Sequence, residues 1–312
     1  MLFWILNTEG VPQWVIWPLQ PLYQLEFRAG AAAALAFFMV MLFGKRVIAQ
    51  LVRLKIGDTG LTDADALQAG AGSKKNTPTM GGVLICGAML LAIALLADIT
   101  TFYVQAGMLV IVWLAVLGGF DDWLKLTAAQ RRAGSRQGLY AWEKLIFQLG
   151  LGLLIGLFAY NHGDATPGPD LAHALNLPGQ RTYVPTEGHA VNDALWYMSR
   201  WVFVTVAVLM IAGMSNAVNI TDGMDGLATG ISAAVALGLV ILTLVSGEQA
   251  SAQRLLVPYV TQSGELAVIA GAMLGACVGF LWFNAYPAQV FMGDTGALCL
   301  GGVIGYIAVI AR

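Results

Sequence analysis

The chain has 312 residues, of which 58% are hydrophobic and only 11% charged. Soluble domains carry about 25% charged residues, so this excess of apolar side chains requires an apolar solvent around the protein. A net charge of −2 gives no nucleic-acid signal, and nucleic acid is not an expected partner.

The first stretch is rich in Trp and is interrupted by Pro12, Pro18 and Pro21, so residues 1–23 read as an interfacial N-terminal segment rather than a span. No basic leader precedes it, and the first span is expected to act as the targeting signal. Apolar windows then predict about eight helices, near 24–45, 80–97, 102–120, 141–160, 197–215, 226–246, 266–283 and 296–311. The fold class is all-α, a polytopic transmembrane helical bundle in the lipid bilayer, forming one integral membrane domain over 1–312.

Lys45, Arg46, Arg53, Lys55, Lys74 and Lys75 follow the first span, and Lys125, Arg131, Arg132, Arg136 and Lys144 follow the third. The positive-inside rule places these segments in the cytoplasm and the N-terminus outside. The outer loop 161–196 holds His162, His173 and His189 without metal-ligand spacing and reads as a surface loop. Cys86, Cys277 and Cys299 lie within apolar segments and read as small buried hydrophobes.

Four polar clusters interrupt the apolar pattern, all on the expected cytoplasmic side. Lys74 to Gly82 is a basic turn whose lysines can meet a phosphate and whose glycines permit close backbone approach; it is equally a positive-inside anchor. Gly118-Gly119-Phe120-Asp121-Asp122 sets two carboxylates flush against an apolar helix, where an ionised group needs a partner or a cation. Asn216 to Gly226 contains Asn219, Asp222 and Asp225 and no Lys or Arg, a density of hard oxygen donors that suits Mg²⁺ and nucleotide edges. The last cluster runs from Asn284 through Phe291 to Gly293-Asp294-Thr295-Gly296, with Asp294 at a helix start, where it is either an N-cap or part of an anion site. Together Asp121, Asp122, Asp222, Asp225 and Asp294 can bind a divalent metal and organise phosphoryl transfer, which depends on positioning and charge neutralisation.

Thr77-Pro78-Thr79-Met80-Gly81-Gly82, Asn216 to Gly226, and Phe280-Leu281-Trp282-Phe283-Asn284 through Gly293-Asp294 resemble the phospho-N-acetylmuramoyl-pentapeptide transferase family over nearly the whole chain. The resemblance implies transfer of phospho-MurNAc-pentapeptide from UDP-MurNAc-pentapeptide to undecaprenyl phosphate, giving lipid I and UMP, at the cytoplasmic face of the bacterial inner membrane. It implies that Asp294 and Asn219 help hold Mg²⁺, and that Asp121 contacts or deprotonates the lipid phosphate, with Asp122 beside it. Lys74, Asn216, Asp222 and Asp225 would line the nucleotide and diphosphate site, and Lys144 and Asn284 would complete the pocket. Lys75, Thr79 and Phe291 join them as substrate-binding positions.

Leu139 to Glu143, just before Lys144, departs from the family's wording, and the chain stops at Arg312, short of a histidine-bearing loop and two further helices that the resemblance implies. The alternatives are transfer from UDP-GlcNAc, an inactive truncated form, and a transporter, which would place its carboxylates at mid-span. The sequence leaves a homodimer open.

Overall fold

The computed structural model describes residues 17–53, 77–128, 138–165, 171–175, 177, 180–184 and 190–311. Among the described residues the main helices are α1 (Leu25–Arg53), α2 (Gly82–Leu96), α3 (Phe102–Ala128), α4 (Ala141–Ala165), α5 (Arg200–Thr221) and α6 (Leu227–Ser246). A short α7 (Gln249–Leu255) precedes α8 (Leu266–Asn284) and α9 (Gly293–Ala311). Seven of these helices are long and apolar enough to cross a membrane, so this is a multi-pass membrane protein. The expected eighth span, α2, has 15 residues. At 1.5 Å per residue it reaches about 22 Å, short of a hydrocarbon core of about 30 Å. Pro18 and Pro21 do prevent an α-helix in the N-terminal segment, but Trp17–Tyr23 forms a 3₁₀ helix instead.

Several helices outrun their hydropathy windows. Helix α3 continues to Ala128 and so carries Asp121, Asp122 and Lys125, while α5 continues to Thr221 and carries Asn216 and Asn219. The backbone ladder does not stop where side chains become polar; α5 ends at Asp222, whose N–H still bonds the Val218 carbonyl.

Helices α8 and α9 form the centre and are buried on nearly all sides. Small residues make this possible. A Cβ at Gly271 or Gly275 would strike the carbonyl of Ala29 or Ala33 on α1, and one at Gly301 or Gly305 would strike the backbone of α5 at Met214 or Met210. In lipid, helices associate through such close backbone packing, since apolar side chains gain nothing by leaving the hydrocarbon.

At the end remote from the polar clusters, Arg28 makes a two-pronged ion pair with Glu265, which also accepts the Asp98 N–H. Two short antiparallel pairs lie in the 171–199 connection: β1 (Ala174–Leu175) with β4 (Trp196–Tyr197), and β2 (Tyr183–Val184) with β3 (Ala190–Val191). The reading of the histidines as surface-loop residues needs correction. His162 belongs to α4 and stacks on Phe102, and His173 is buried against Tyr160 and Phe203, because an imidazole face packs like an aromatic ring. His189 lies outside the described residues.

Candidate active site

The polar clusters converge around the N-terminus of α9. Gly293, with φ +72, turns the chain into that helix, and a Cβ there would lie 2.7 Å from an Asp122 oxygen. Asp122 reaches across from α3 and caps α9. Its Oδ1 accepts the Asp294 N–H at 3.1 Å, and its Oδ2 accepts the Thr295 N–H at 2.9 Å and the Thr295 hydroxyl at 2.7 Å. Three donors therefore converge on one buried carboxylate, and the helix dipole adds to the attraction.

Close backbone contact fixes this helix start on two other sides. Extensions of the chain at Gly82 and Gly118 are barred, since a Cβ would fall 2.1 Å from the Gly296 nitrogen and 2.3 Å from the Asp294 carbonyl oxygen respectively. The Gly81 and Gly82 N–H groups bond the Phe291 and Met292 carbonyls at 2.9 and 2.8 Å, and the Phe291 N–H bonds Pro78 O at 2.8 Å. The glycines of the Thr77–Gly82 string thus admit the chain's own backbone. Phe291 contributes its main chain to this stitch and is half-buried, as is Thr79; Lys74 and Lys75 lie outside the described residues.

Asp121, one position before the capping residue, faces a different set of groups. Its fully buried carboxylate accepts the Leu139 N–H at 2.6 Å, and Lys125 and Lys144 each stand 2.7 Å away. Lys144 also bonds Asp294 Oδ2, and Lys125 lies 3.2 Å from the same oxygen. Two carboxylates and two ammonium groups from three helices therefore meet at one point. Lys125 was not among the site residues expected from sequence, although its i,i+4 spacing from Asp121 was the available signal.

Carboxylate oxygens of Asp121, Asp122 and Asp294 lie within 4.8 Å of one another, so the cluster can hold a metal ion. Hard carboxylate oxygens suit Mg²⁺ or a similar divalent cation. Asp294, whose lysine contacts all fall on Oδ2, has the freest oxygen, because Asp122 is engaged by the α9 cap and Asp121 by Leu139 and the two lysines.

Helix α5 runs alongside α9, with Ser215 bonded to the Leu298 carbonyl and Asp222 at the end of the helix. Asn219 stands on the same register between them, half-buried. Burial pushes the Asp222 carboxyl up to about 7, with the charges of Asp294 and Asp122 adding to the rise and the Gly293 N–H opposing it. Asn216 donates to Gln148 Oε1 at 2.7 Å and to the Ala212 carbonyl at 2.8 Å.

The remaining expected residues are engaged with the chain itself. Asn284, buried, accepts from the Thr229 hydroxyl at 2.8 Å and donates to the Val290 carbonyl at 2.9 Å. Asp225 accepts the Ala288 N–H at 3.2 Å. Both hold the 285–292 connection that delivers the chain to Gly293.

This helical membrane bundle gathers lysines and aspartates at one end of its spans, and the glycosyl transferase family 4 profile matches its residues 101–312. A signature of the phospho-N-acetylmuramoyl-pentapeptide-transferases matches residues 74–86. A phospho-N-acetylmuramoyl-pentapeptide-transferase of Parabacteroides distasonis is 35% identical over 92% of this chain and 72% of its own length. One from Desulfotalea psychrophila is 37% identical over 92% and 73%, and one from Koribacter versatilis 34% identical over 100% and 80%. The chain belongs to the phospho-N-acetylmuramoyl-pentapeptide-transferase family.

Proposed function

We propose that the protein transfers phospho-MurNAc-pentapeptide from UDP-MurNAc-pentapeptide to undecaprenyl phosphate, producing lipid I and UMP. The observation that carries this reading is the junction of Asp121, Lys125, Lys144 and Asp294 at the capped start of α9, together with relatives named for that transferred group. The carboxylates lie in the terminal turns of α3 and α9, which favours a surface reaction site over an ion path through mid-span. The lysine and arginine bias supports a cytoplasmic position for that end, where a UDP-sugar is available, and an N-terminus outside the inner membrane.

Asp294 would hold Mg²⁺, helped by Asn219, with the Asp121 carboxylate alongside. A divalent cation bound there would neutralise charge on the donor diphosphate as UMP departs. The chain's own groups do the rest. Lys125 and Lys144 offer ammonium donors to phosphate oxygens, and Asp222, Asn216 and Asn219 present polar atoms along the adjoining α5 end. The acceptor phosphate has a second pKa of about 6 and is already largely ionised at neutral pH. Attack of its oxygen on the β-phosphate of the donor therefore needs alignment more than proton removal, and Asp121, engaged by three donors, acts by placing the lysines.

Purified protein given undecaprenyl phosphate, UDP-MurNAc-pentapeptide and Mg²⁺ is expected to release UMP, and to stop when the cation is chelated. UDP-GlcNAc in a parallel reaction tests the sister donor. A folded sample releasing no UMP from the muramoyl donor refutes the reading.

A further inference from the structure

Beneath the site, one helical turn deeper in the bundle, three helices are joined by a polar chain of which the sequence motifs contain only Asn216. Gln148 on α4 is fully buried inside a membrane-spanning helix. Its Nε2 donates to the Ser215 hydroxyl at 3.1 Å, and its Oε1 accepts from Asn216 at 2.7 Å. Ser215, also fully buried, donates its own hydroxyl hydrogen bond to the Leu298 carbonyl on α9 at 3.1 Å. A side-chain amide in such a place costs several kcal/mol unless its hydrogen bonds are made.

The three anchor points have a common relation to the reacting groups. Gln148 is one turn below Lys144, and Leu298 is one turn below Asp294. Ser215 and Asn216 are one turn below Asn219. Helix α4 packs chiefly on α5, and α5 packs on α9. The height of Lys144 relative to Asp294 is therefore set through α5, and the polar chain is the directional link along that route. Glycines bring the helices of both interfaces close, Gly152 of α4 against Val208 and Gly301 of α9 against Met214, and the donor–acceptor chain adds a defined direction and length to that contact.

We propose that Gln148 is a positioning residue for the transfer reaction, acting through Ser215 and Asn216 to hold Lys144 at bonding distance from Asp294 and Asp121. The proposal rests on the transferase reading above. Gln148 touches neither substrate in this view; it fixes the level at which the lysine meets the acidic pair.

The test is Gln148→Met, which keeps chain length and apolar volume and deletes both polar ends. Folding is checked by size exclusion and thermal unfolding. Turnover is then measured as UMP release at saturating undecaprenyl phosphate while the muramoyl donor is varied. The expected result is a fall in kcat of ~10–100-fold with the donor KM changed less than about twofold, the pattern of a contact that matters only at the transition state. Ser215→Ala is expected to lower kcat ~3–10-fold alone and to add nothing in the Gln148→Met background, because the two residues form one chain. Should Gln148→Met not fold, Ser215→Ala alone decides, a loss in kcat supporting the proposal and wild-type turnover overturning it. Undiminished kcat in folded Gln148→Met, a loss confined to KM, or multiplicative effects in the double variant would each overturn it. Wild-type protein that releases no UMP refutes the transferase reading and the proposal with it. That failure is distinct from an active wild type unaffected by Gln148→Met.

Discussion

Adjacent glycines on α3 provide an internally controlled perturbation. A Cβ at Gly118 would lie 2.3 Å from the Asp294 carbonyl oxygen and 2.6 Å from the Thr295 nitrogen. Both are backbone atoms, so neither can swing aside. Real Cβ atoms do not approach closer than 3.0 Å, so Gly118→Ala must drive the α9 start away by at least ~0.7 Å. Overpacking of this kind costs about 1–3 kcal/mol. The better helix propensity of alanine returns about 1 kcal/mol, leaving a net loss of ~0–2 kcal/mol. The effect on chemistry is larger. Reacting groups must sit within about 0.5 Å of productive geometry, and Asp294 moves with the helix it begins. Since a misplacement of about 1 Å costs ~100-fold, Gly118→Ala should lower UMP release ~10–100-fold in protein that remains folded. At Gly119 the added carbon would sit 3.6 Å from the Thr295 hydroxyl, an ordinary contact, and Gly119→Ala should equal wild type in turnover and match or exceed it in stability. Turnover of folded Gly118→Ala within threefold of Gly119→Ala would refute the claim that backbone contact at Gly118 sets the position of Asp294.

Asp122→Asn leaves one carboxamide oxygen for three donors and turns an N–H toward the α9 start, so thermal unfolding should show a loss of about 1–3 kcal/mol. Asp121→Asn removes the charge that holds Lys125 and Lys144, and UMP release should fall by about 100-fold or more while melting changes less than for Asp122→Asn. Asp222, raised from 3.8 to about 7, contributes stability that is complete below about pH 4 and is lost as pH rises through about 7. In metal-free buffer the melting temperature of the wild type should therefore drop between pH 5 and 8 more steeply than that of Asp222→Asn. At the opposite end of the bundle, Glu265→Gln removes the charge that Glu265 sets against the buried Arg28 and should cost about 3–5 kcal/mol, read by thermal unfolding, with kcat of the folded fraction unchanged.

Helix existence was readable from sequence because lipid demands it: long apolar stretches have no other way to satisfy their backbone. Helix ends were less readable. A hydropathy window stops at the first polar group, but α3 and α5 carry Asp121, Asp122, Lys125, Asn216 and Asn219 on their last turns. The difference matters for mechanism, since side chains on helical turns are held more firmly than side chains on loops. Residue type also failed to separate roles within a motif. Asp121 and Asp122 are chemically identical neighbours, but their Cβ atoms diverge around the helix, so one meets two lysines and the other an unfinished helix start. Asn284 and Asp225 looked like ligands for the same reason that they make good internal braces: both offer several hydrogen-bonding atoms.

What a local reading cannot supply is the partner. Asp122 and Thr295 are separated by 173 residues, Lys144 and Asp294 by 150, and Gln148 and Ser215 by 67. No window of one span's length covers any of these pairs. Gln148 is the sharpest case, because a lone glutamine within an apolar run carries no motif and reads as a tolerated defect. Its cost in hydrocarbon is the informative quantity. A buried amide that is retained must be bonded, and its bonds lead to Ser215 and Asn216 and from them toward the acidic pair. The same reasoning applies to the glycines. Gly82 and Gly118 look alike in a sequence of helices, yet each marks a place where the backbone of α9 passes too close for a side chain. The start of α9 is therefore defined by what its neighbours lack as well as by the carboxylate that caps it, and the reaction site is the point where these long-range constraints coincide.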